Sequence, residues 1–425
     1  MRNSLFLFFL LAKIAVFAQT TPFKVLNERE VNFLFDYYEQ DGDHSPITGG
    51  VGTEKLNCIA PLTNINIPFD TIHNISVNVG IDYYSSASSN RIDRFVSGAS
   101  SRYLSSASSS DVRTHFDINY SLSNPQKKAS KGLMLGFSNE FDVNSFSGGI
   151  NYTKSDKNDN HQFGVGASVY YDVWKLIYPG EIRDGIIYSY GNDDDDYDTD
   201  QRLTSTFTLS YAQVVTKKLQ WFITTDIVYQ KGLLYTPFHR VYFDDGLVID
   251  NPGTNNLLIA KTMFPENLPD SRFKLPIGLR INYYLSDYFV TRLFYRYYFD
   301  DFGITAHTFS IELPIKINQW LMVYPLYRFH SQTAAKYFAP FGEHSLDATF
   351  QPVEQYYTSD YDLSPFSNNK FGGGFRISPT YGIKKWSVIQ PVNITFKNIE
   401  VRYSHYRRSD GLIANTISFA LGFVF

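Results

Sequence analysis

Residues 271–285 read SRFKLPIGLRINYYL and alternate between two kinds of side chain. From Phe273 onward every odd-numbered position is apolar or aromatic, whereas Arg272, Lys274, Arg280 and Asn282 occupy even-numbered positions. Side chains repeat every second residue in a β-strand and about every 3.6 residues in an α-helix. The stretch therefore predicts a strand with one apolar face and one polar face.

The same period of two recurs along the rest of the chain. It predicts about sixteen strands, within a range of 14–16, because the period of two does not define where each segment begins and ends. Most segments are about 10–14 residues long, which suits strands tilted across a membrane better than ordinary sheet strands. The segments are 30–38, 54–68, 72–85, 110–122, 131–142, 145–155, 160–173, 201–215, 218–230, 271–285, 288–299, 304–317, 319–332, 369–380, 394–404 and 411–425.

The connections between these segments differ in length in a regular way. The four longest, 86–109, 174–200, 231–270 and 333–368, all follow odd-numbered segments, whereas most connections after even-numbered segments are short; 381–393 is the exception. Outer-membrane barrels have short turns at the periplasmic end and long loops at the other, and a soluble β-sandwich has no reason to do so. The sequence predicts an all-β fold: a transmembrane antiparallel β-barrel of the outer membrane with periplasmic N- and C-termini.

The composition supports this fold and argues against several other classes. The 425 residues include 32 Tyr, 36 Phe and 4 Trp, an excess that membrane barrels place in their lipid-facing band and interfacial girdles. A mean hydropathy of -0.23 argues against a bundle of transmembrane helices. The formal net charge of -4 gives no basic footprint for nucleic acid, and Cys58 is the single cysteine, so no disulfide framework exists.

The N-terminus predicts a secretory signal peptide over residues 1–18. Arg2 precedes residues 5–17, which are apolar apart from Lys13 and too few to span a membrane, and small or branched residues lead up to Ala18. We expect cleavage after Ala18, export to the cell outer membrane and a single barrel domain over residues 19–425.

The polar strand faces are the candidate functional surface. If the apolar faces contact lipid, the alternate faces line the barrel interior. Because charges in a pore set its solute preference, the arginine excess favours a channel or transporter for small, anionic solutes. The alternative is a structural lattice of ion pairs, with Asp300 and Glu312 as partners of the arginines. The candidate interior residues are Arg272, Arg280, Arg292, Arg296, Asp300, Glu312, Lys316, Arg328, His330, Glu400 and Arg402.

No pattern predicts a catalytic or metal site. The serine-rich stretch 85–110 lies near His115 and Asp117, but it lacks the glycines of a nucleophile elbow, so a solvated loop is favoured over a barrel-embedded hydrolase. The run Asp193–Asp196 lacks the alternation and glycine of a calcium loop. The histidines are scattered, and we expect no enzyme activity, metal or cofactor.

Three stretches resemble a family of outer-membrane proteins, the domain of unknown function DUF3570. The first is DYYSSAS (82–88) followed by VSGAS (96–100) and SAS (106–108), the second is KGLLYTPFHR (231–240), and the third joins YRYYFDDFGI (295–304) to YRFHSQTAA (327–335). The resemblance is best over residues 54–425, and residues 41–53 resemble members from Bacteroidetes-type bacteria. It implies a Gram-negative outer-membrane barrel and assigns no activity.

The expected partners follow from this fold. They are outer-membrane lipid and the barrel-assembly machinery, because the last strand, ending in Phe425, resembles the signature that this machinery reads. No nucleic-acid partner is expected. The alternative to a channel is a barrel without a pore, whose long external loops bind an unknown envelope protein or support an export or assembly complex.

Overall fold

The computed structural model describes residues 28–85, 110–179, 197–245, 247–250, 257–260, 262–389 and 392–425. Within these ranges sixteen long strands pair antiparallel with their neighbours in chain order. Each overlaps one of the sixteen predicted segments, so the predicted strand order is confirmed. The strands are β1 (Glu30–Asp41), β2 (Leu56–Pro68), β3 (His73–Ser85), β4 (Ser110–Asn124), β5 (Ala129–Asn139), β6 (Val143–Ser155), β7 (His161–Lys175), β8 (Thr199–Thr216), β9 (Leu219–Gly232), β10 (Ser271–Tyr284), β11 (Val290–Asp300), β12 (Thr305–Glu312), β13 (Leu321–Gln332), β14 (Phe366–Ile377), β15 (Val392–Arg408) and β16 (Ile413–Val424).

The sheet closes into a barrel because β1 pairs with both β2 and β16. Phe33, for example, lies opposite Thr63 on one side and Leu421 on the other. Closure satisfies the backbone groups that an open sheet would leave unpaired at its edges, and this is what a strand structure needs in lipid.

The barrel wall has an apolar outside and a polar inside. The side chains of Leu135 and Phe371 are each 57% exposed, and that of Ile150 is 63% exposed. Many other apolar residues at alternate positions of the wall are exposed to a lesser degree. Exposed apolar side chains on every strand form the lipid-facing surface of a membrane barrel. The prediction of an outer-membrane β-barrel is therefore confirmed. No helix in the described ranges is long and apolar enough to span a membrane.

The two ends of the barrel differ, as the connection lengths predicted. At the terminal end, where β1 begins and β16 finishes, most turns are short, such as 69–72 and 217–218. The longer connection after β14 contains a short strand, Lys384–Ile389, which pairs with the first residues of β15. The connection 381–393, which is long although it follows an even-numbered strand, therefore belongs to a hairpin that extends beyond the wall.

One predicted strand is interrupted for a local chemical reason. The segment 304–317 forms β12 as far as Glu312, and the ladder resumes only at Ile315–Lys316. Pro314 lies in the gap and has no N–H to donate to the ladder.

The long loops at the opposite end, the loop end, pack into a structured cap, formed by residues 42–55, 233–245, 262–270 and 333–365. Val241, Phe243 and Tyr357 form one buried cluster there. Leu268 and Ala335 form a second cluster with residues of the tight turn between β11 and β12. The most deeply buried apolar side chains of the described chain therefore belong mainly to its loops.

Three sequence predictions fall outside the described residues. They are the signal peptide over 1–18, the serine-rich connection 86–109 and the acidic run Asp193–Asp196.

Candidate functional site in the barrel interior

A contact across the barrel shows which way the predicted interior residues point. Glu312 on β12 and Arg402 on β15 are joined by a 3.4 Å Oε2–Nη1 distance. These strands are separated in the wall by β13 and β14, so the two side chains meet through the interior. The alternate residue Phe309 is exposed on the outside.

Part of the predicted arginine set forms the lattice of ion pairs. Arg292 donates to Glu312 at 2.7 Å, and Arg402 donates to Glu400 at 2.6 Å as well as to Glu312. Arg280 joins Arg292, Glu312 and Arg402 around a cavity of about 570 Å³. Two carboxylates thus neutralise two of the three arginines at this level.

Arg272 and Asp300 form a second pair, closer to the cap. The Arg272 Nε lies 3.1 Å from Oδ2 of Asp300, whose side chain is fully buried. Asp300 also accepts hydrogen bonds from the Tyr298 hydroxyl (2.7 Å) and the Ile304 backbone N–H (2.9 Å). The contacts of Asp300 thus reach β10, β11 and the residue that follows the next turn, and they hold these three elements together at the cap end of the wall.

A third group, the basic cluster, consists of Arg296, Arg328 and Lys370 and has no acidic partner. Lys370 on β14 lies directly opposite Arg328 on β13. Arg296 on β11 is separated from Arg328 by the small side chains of Thr308 and Ser310 on β12. Among the described residues none of the three cations makes an ion pair, and the buried Nε of Arg328 has no hydrogen-bond partner. Sequence reasoning missed Lys370.

The two remaining predicted residues, His330 and Lys316, lie toward opposite ends of the barrel wall. His330 is buried beneath the cap, and its Nδ1 is 2.8 Å from the Thr308 hydroxyl. Lys316 is exposed in the short strand near the terminal end. Neither joins the basic cluster directly.

The wall facing the basic cluster carries small and amide side chains together with one carboxylate, Asp117, which lies opposite Gly136. This follows from the ring order, because β4 to β6 lie across the barrel from β12 and β13. The three cations of the basic cluster therefore lie on one side of the interior. The facing positions include Asn119, Gly132, Gly136, Ser147 and Gly149.

The cap is tied to the wall by polar contacts. Arg408 on β15 donates to Asp362 at 2.6 Å and to the Tyr361 carbonyl at 2.8 Å. The Tyr361 ring stacks on His44 from the loop after β1, with ring centroids 3.8 Å apart. Gln332 on β13 donates to the backbone of the same segment. These contacts fix the cap over the interior.

The cap also contains a cluster that sequence reasoning missed. His239, Glu266 and Asp360 bring one potential metal-ligand atom each to within 4.8 Å of one another. Burial raises the pKa of Asp360, and the neighbouring Asp362 carboxylate adds to this effect. Their spacing in the sequence is too wide for any short metal motif.

The residues of the hydrolase hypothesis show no assembled triad among the described residues. His115 on β4 lies 3.8 Å from Asp82 on β3, and the serine-rich connection is outside the described ranges.

The chain is similar in architecture to several solved outer-membrane proteins. A bacterial polysaccharide outer membrane secretin shows 7% identity and a TM-score of 0.44, with 95% of this chain and 100% of that chain covered. OccK9 (OpdG) from Pseudomonas aeruginosa shows 8% identity and 0.39, with 94% and 98% covered. CdiB from Acinetobacter baumannii shows 9% identity and 0.45, with 92% and 60% covered.

The sequence comparisons identify the family. No curated protein matches the chain in sequence. Residues 9–388 match the family described as "Protein of unknown function (DUF3570)". This match spans most of the 425 residues, so the chain belongs to the DUF3570 family.

Proposed function

We propose that this protein is an outer-membrane channel that binds and passes small anionic solutes. The observation that carries the proposal is the basic cluster of Arg296, Arg328 and Lys370. A lattice that served stability alone would pair its cations with carboxylates, as Arg292 and Arg402 are paired with Glu312. The three cations of the basic cluster are left available to a solute.

The chemistry of the basic cluster suits oxyanions. The planar guanidinium groups of Arg296 and Arg328 donate paired hydrogen bonds to carboxylate or phosphate oxygens, and Lys370 adds a point charge. Small side chains on β12 leave room between the two arginines. Cations fixed in a narrow, partly desolvated space also raise the local anion concentration.

The cap sets how solute enters. It covers the interior from the loop end, and its contacts with β13 and β15 hold it in place. We therefore expect a small or gated conductance rather than a wide, open pore.

Ion selectivity in planar bilayers tests the proposal. The purified protein under a KCl gradient should give a reversal potential that favours chloride. Replacing all three cations of the basic cluster (Arg296→Gln, Arg328→Gln, Lys370→Gln) should move the permeability ratio toward unity, because the interior loses its unpaired positive charge.

A matched variant controls for net charge. Lys127, Lys157 and Lys217 are exposed in turns at the terminal end, so their replacement by Gln removes the same charge outside the interior. This control should retain the wild-type selectivity. A protein that never conducts, or a basic-cluster variant as anion-selective as the wild type, would overturn the proposal; a closed barrel would favour the loop-binding alternative.

We also propose that residues 1–18 direct export and that the barrel-assembly machinery inserts the barrel into outer-membrane lipid. In this proposal the protein is not an enzyme. The apolar outside of the barrel supports the membrane setting. N-terminal sequencing of the protein from outer membranes should begin at Gln19, and a retained Met1 would contradict the cleavage.

A further inference from the structure

The three-residue cluster in the cap joins two separate loops. His239 and Glu266 lie in the connection between β9 and β10, whereas Asp360 lies in the connection between β13 and β14. Their candidate ligand atoms lie within 4.8 Å of one another. This convergence of one imidazole and two carboxylates is independent of the basic cluster.

The carboxylate of Glu266 is held in a fixed orientation. Its Oε2 accepts a hydrogen bond from the Thr236 backbone N–H at 2.9 Å, and its Oε1 accepts one from the Thr358 hydroxyl at 2.5 Å. Glu266 is buried, as is Thr358. Each carboxylate oxygen accepts up to two hydrogen bonds or ligand bonds, so both retain capacity toward a cation.

The cluster brings the buried carboxylate of Glu266 next to the half-buried carboxyl group of Asp360. Neither Glu266 nor Asp360 forms an ion pair with lysine or arginine within the described chain, and the nearby Arg408 pairs with Asp362 and Asp410. Buried charges in proteins are normally paired or coordinate a metal. Two adjacent carboxylates therefore create a demand for positive charge that only His239 partly meets.

His239 faces Glu266 across a gap in which no hydrogen bond with good geometry is made. Its Nδ1 is buried, has no hydrogen-bond partner and lies 3.6 Å from Oε2 of Glu266. That distance is too long for a hydrogen bond. Two ligands at about 2.1 Å from one tetrahedral Zn²⁺ lie about 3.4 Å apart, which is close to the observed separation.

We propose that His239, Glu266 and Asp360 bind one divalent transition-metal cation that joins the two loops of the cap. A set of one imidazole nitrogen and two carboxylate oxygens suits Zn²⁺ or Mn²⁺ better than Ca²⁺ or Mg²⁺, which prefer oxygen ligands alone. The cation would stabilise the cap whether or not the barrel passes anions.

A second acidic cluster at the loop end lacks these properties. Asp111, Glu140 and Asp142 also come together, but the cluster contains no histidine. Arg113 lies beside it, with its Nε 3.4 Å from Oε1 of Glu140. A local cation already offsets its charge.

Zinc titration of the full-length protein in detergent tests the proposal. After removal of metal with EDTA, calorimetry with ZnCl₂ and elemental analysis should show one Zn²⁺ per chain. His239→Gln and Asp360→Asn should each weaken the affinity about tenfold or more, since losing a ligand costs at least as much as losing a residue that only orients one. Added Co²⁺ should give the visible absorption bands of a low-coordinate site, and His239→Gln should abolish them.

His344→Gln is the matched control, because His344 is a buried histidine of the same cap with its own partners, Glu354 (3.2 Å) and the Thr358 carbonyl (3.0 Å). It should bind Zn²⁺ as the wild type does, and so should Cys58→Ser, which removes the single thiol. Circular dichroism establishes which variants remain folded. Absence of stoichiometric binding by the wild type, or unchanged binding by folded His239→Gln, would overturn the proposal; neither result bears on anion selectivity.

Discussion

Arg240 donates a hydrogen bond of 2.7 Å from its Nη1 to the backbone carbonyl oxygen of Ile47. Arg240 follows β9 and Ile47 follows β1, and these strands lie eight positions apart in a ring of sixteen. The hydrogen bond therefore joins loops that arise from opposite walls of the barrel. The cap crosses the mouth instead of folding back beside one wall.

Loss of the Phe243 ring should loosen this crossing. Phe243 is about 1% exposed and packs edge-on against Phe264 and Tyr357. Phe243→Ala should destabilise the cap by about 3–5 kcal/mol, because it removes apolar contacts and leaves a cavity. Hydrogen exchange of the cap amides should accelerate while the amides of the wall stay protected.

Phe371→Ala is the control for that measurement, since Phe371 faces outward from β14 and is already exposed. It should leave exchange in the cap unchanged. Equal protection of the cap in wild type and Phe243→Ala would contradict a cap held by this core.

The Arg272–Asp300 pair should matter more for stability than surface pairs do. Asp300→Asn removes the fully buried carboxylate that compensates the largely buried Arg272, and breaking one partner of a buried pair typically costs about 3–5 kcal/mol. Asp159→Asn breaks the exposed pair with Lys128 and should cost at most about 1 kcal/mol. Thermal unfolding in detergent measures both, and equal effects would show that Asp300 is not the anchor proposed here.

The sequence predicts the strands of the barrel wall, but it does not predict which side chains meet across the interior or within the cap. Alternation determines which face each side chain occupies, so the pattern of residues 271–317 alone predicts that Arg296 and Glu312 share one face. It does not determine which side chains meet across the interior: Arg402 reaches Glu312 only because closure brings β15 and β12 together. The cluster at His239 was unpredictable for the same reason, since loop packing creates it and no periodicity describes loops.

Asp142 should make stability depend on pH. Burial and the nearby charge of Glu140 raise the pKa of Asp142 to about 6, with Asp111 adding to the effect and Lys175 opposing it. The folded protein thus retains a proton that the unfolded chain releases near pH 4. The proton held by Asp142 contributes favourably to the free energy of unfolding at low pH, and this contribution is lost as the pH rises from about 4 to about 6.

Asp142→Asn should therefore gain stability relative to the wild type between about pH 4 and pH 7. Unfolding temperatures at both pH values measure the difference. Asp347 provides a control of opposite sign, because hydrogen bonds from Gln351 and Thr349 lower its pKa; Asp347→Asn should lose stability at neutral pH. A constant difference between Asp142→Asn and wild type across this range would contradict the prediction.

Replacing Glu312 should shift the anion selectivity of the channel in the direction opposite to replacing the basic cluster. The Glu312 carboxylate accepts from Arg292 at 2.7 Å and from Arg402 at 3.4 Å. Glu312→Gln removes negative charge from the interior and leaves Arg292 without its acidic partner, while Arg402 keeps Glu400. The interior becomes more positive, so anion preference in planar bilayers should rise.

Asp159→Asn, which removes a carboxylate from an exposed turn, should leave the reversal potential of the channel unchanged. A fall in anion preference for Glu312→Gln would mean that the carboxylate acts mainly by holding Arg292 and Arg402 in place. Opposite shifts for Glu312→Gln and for the basic-cluster variant would instead show that the net charge of the interior governs which ions pass.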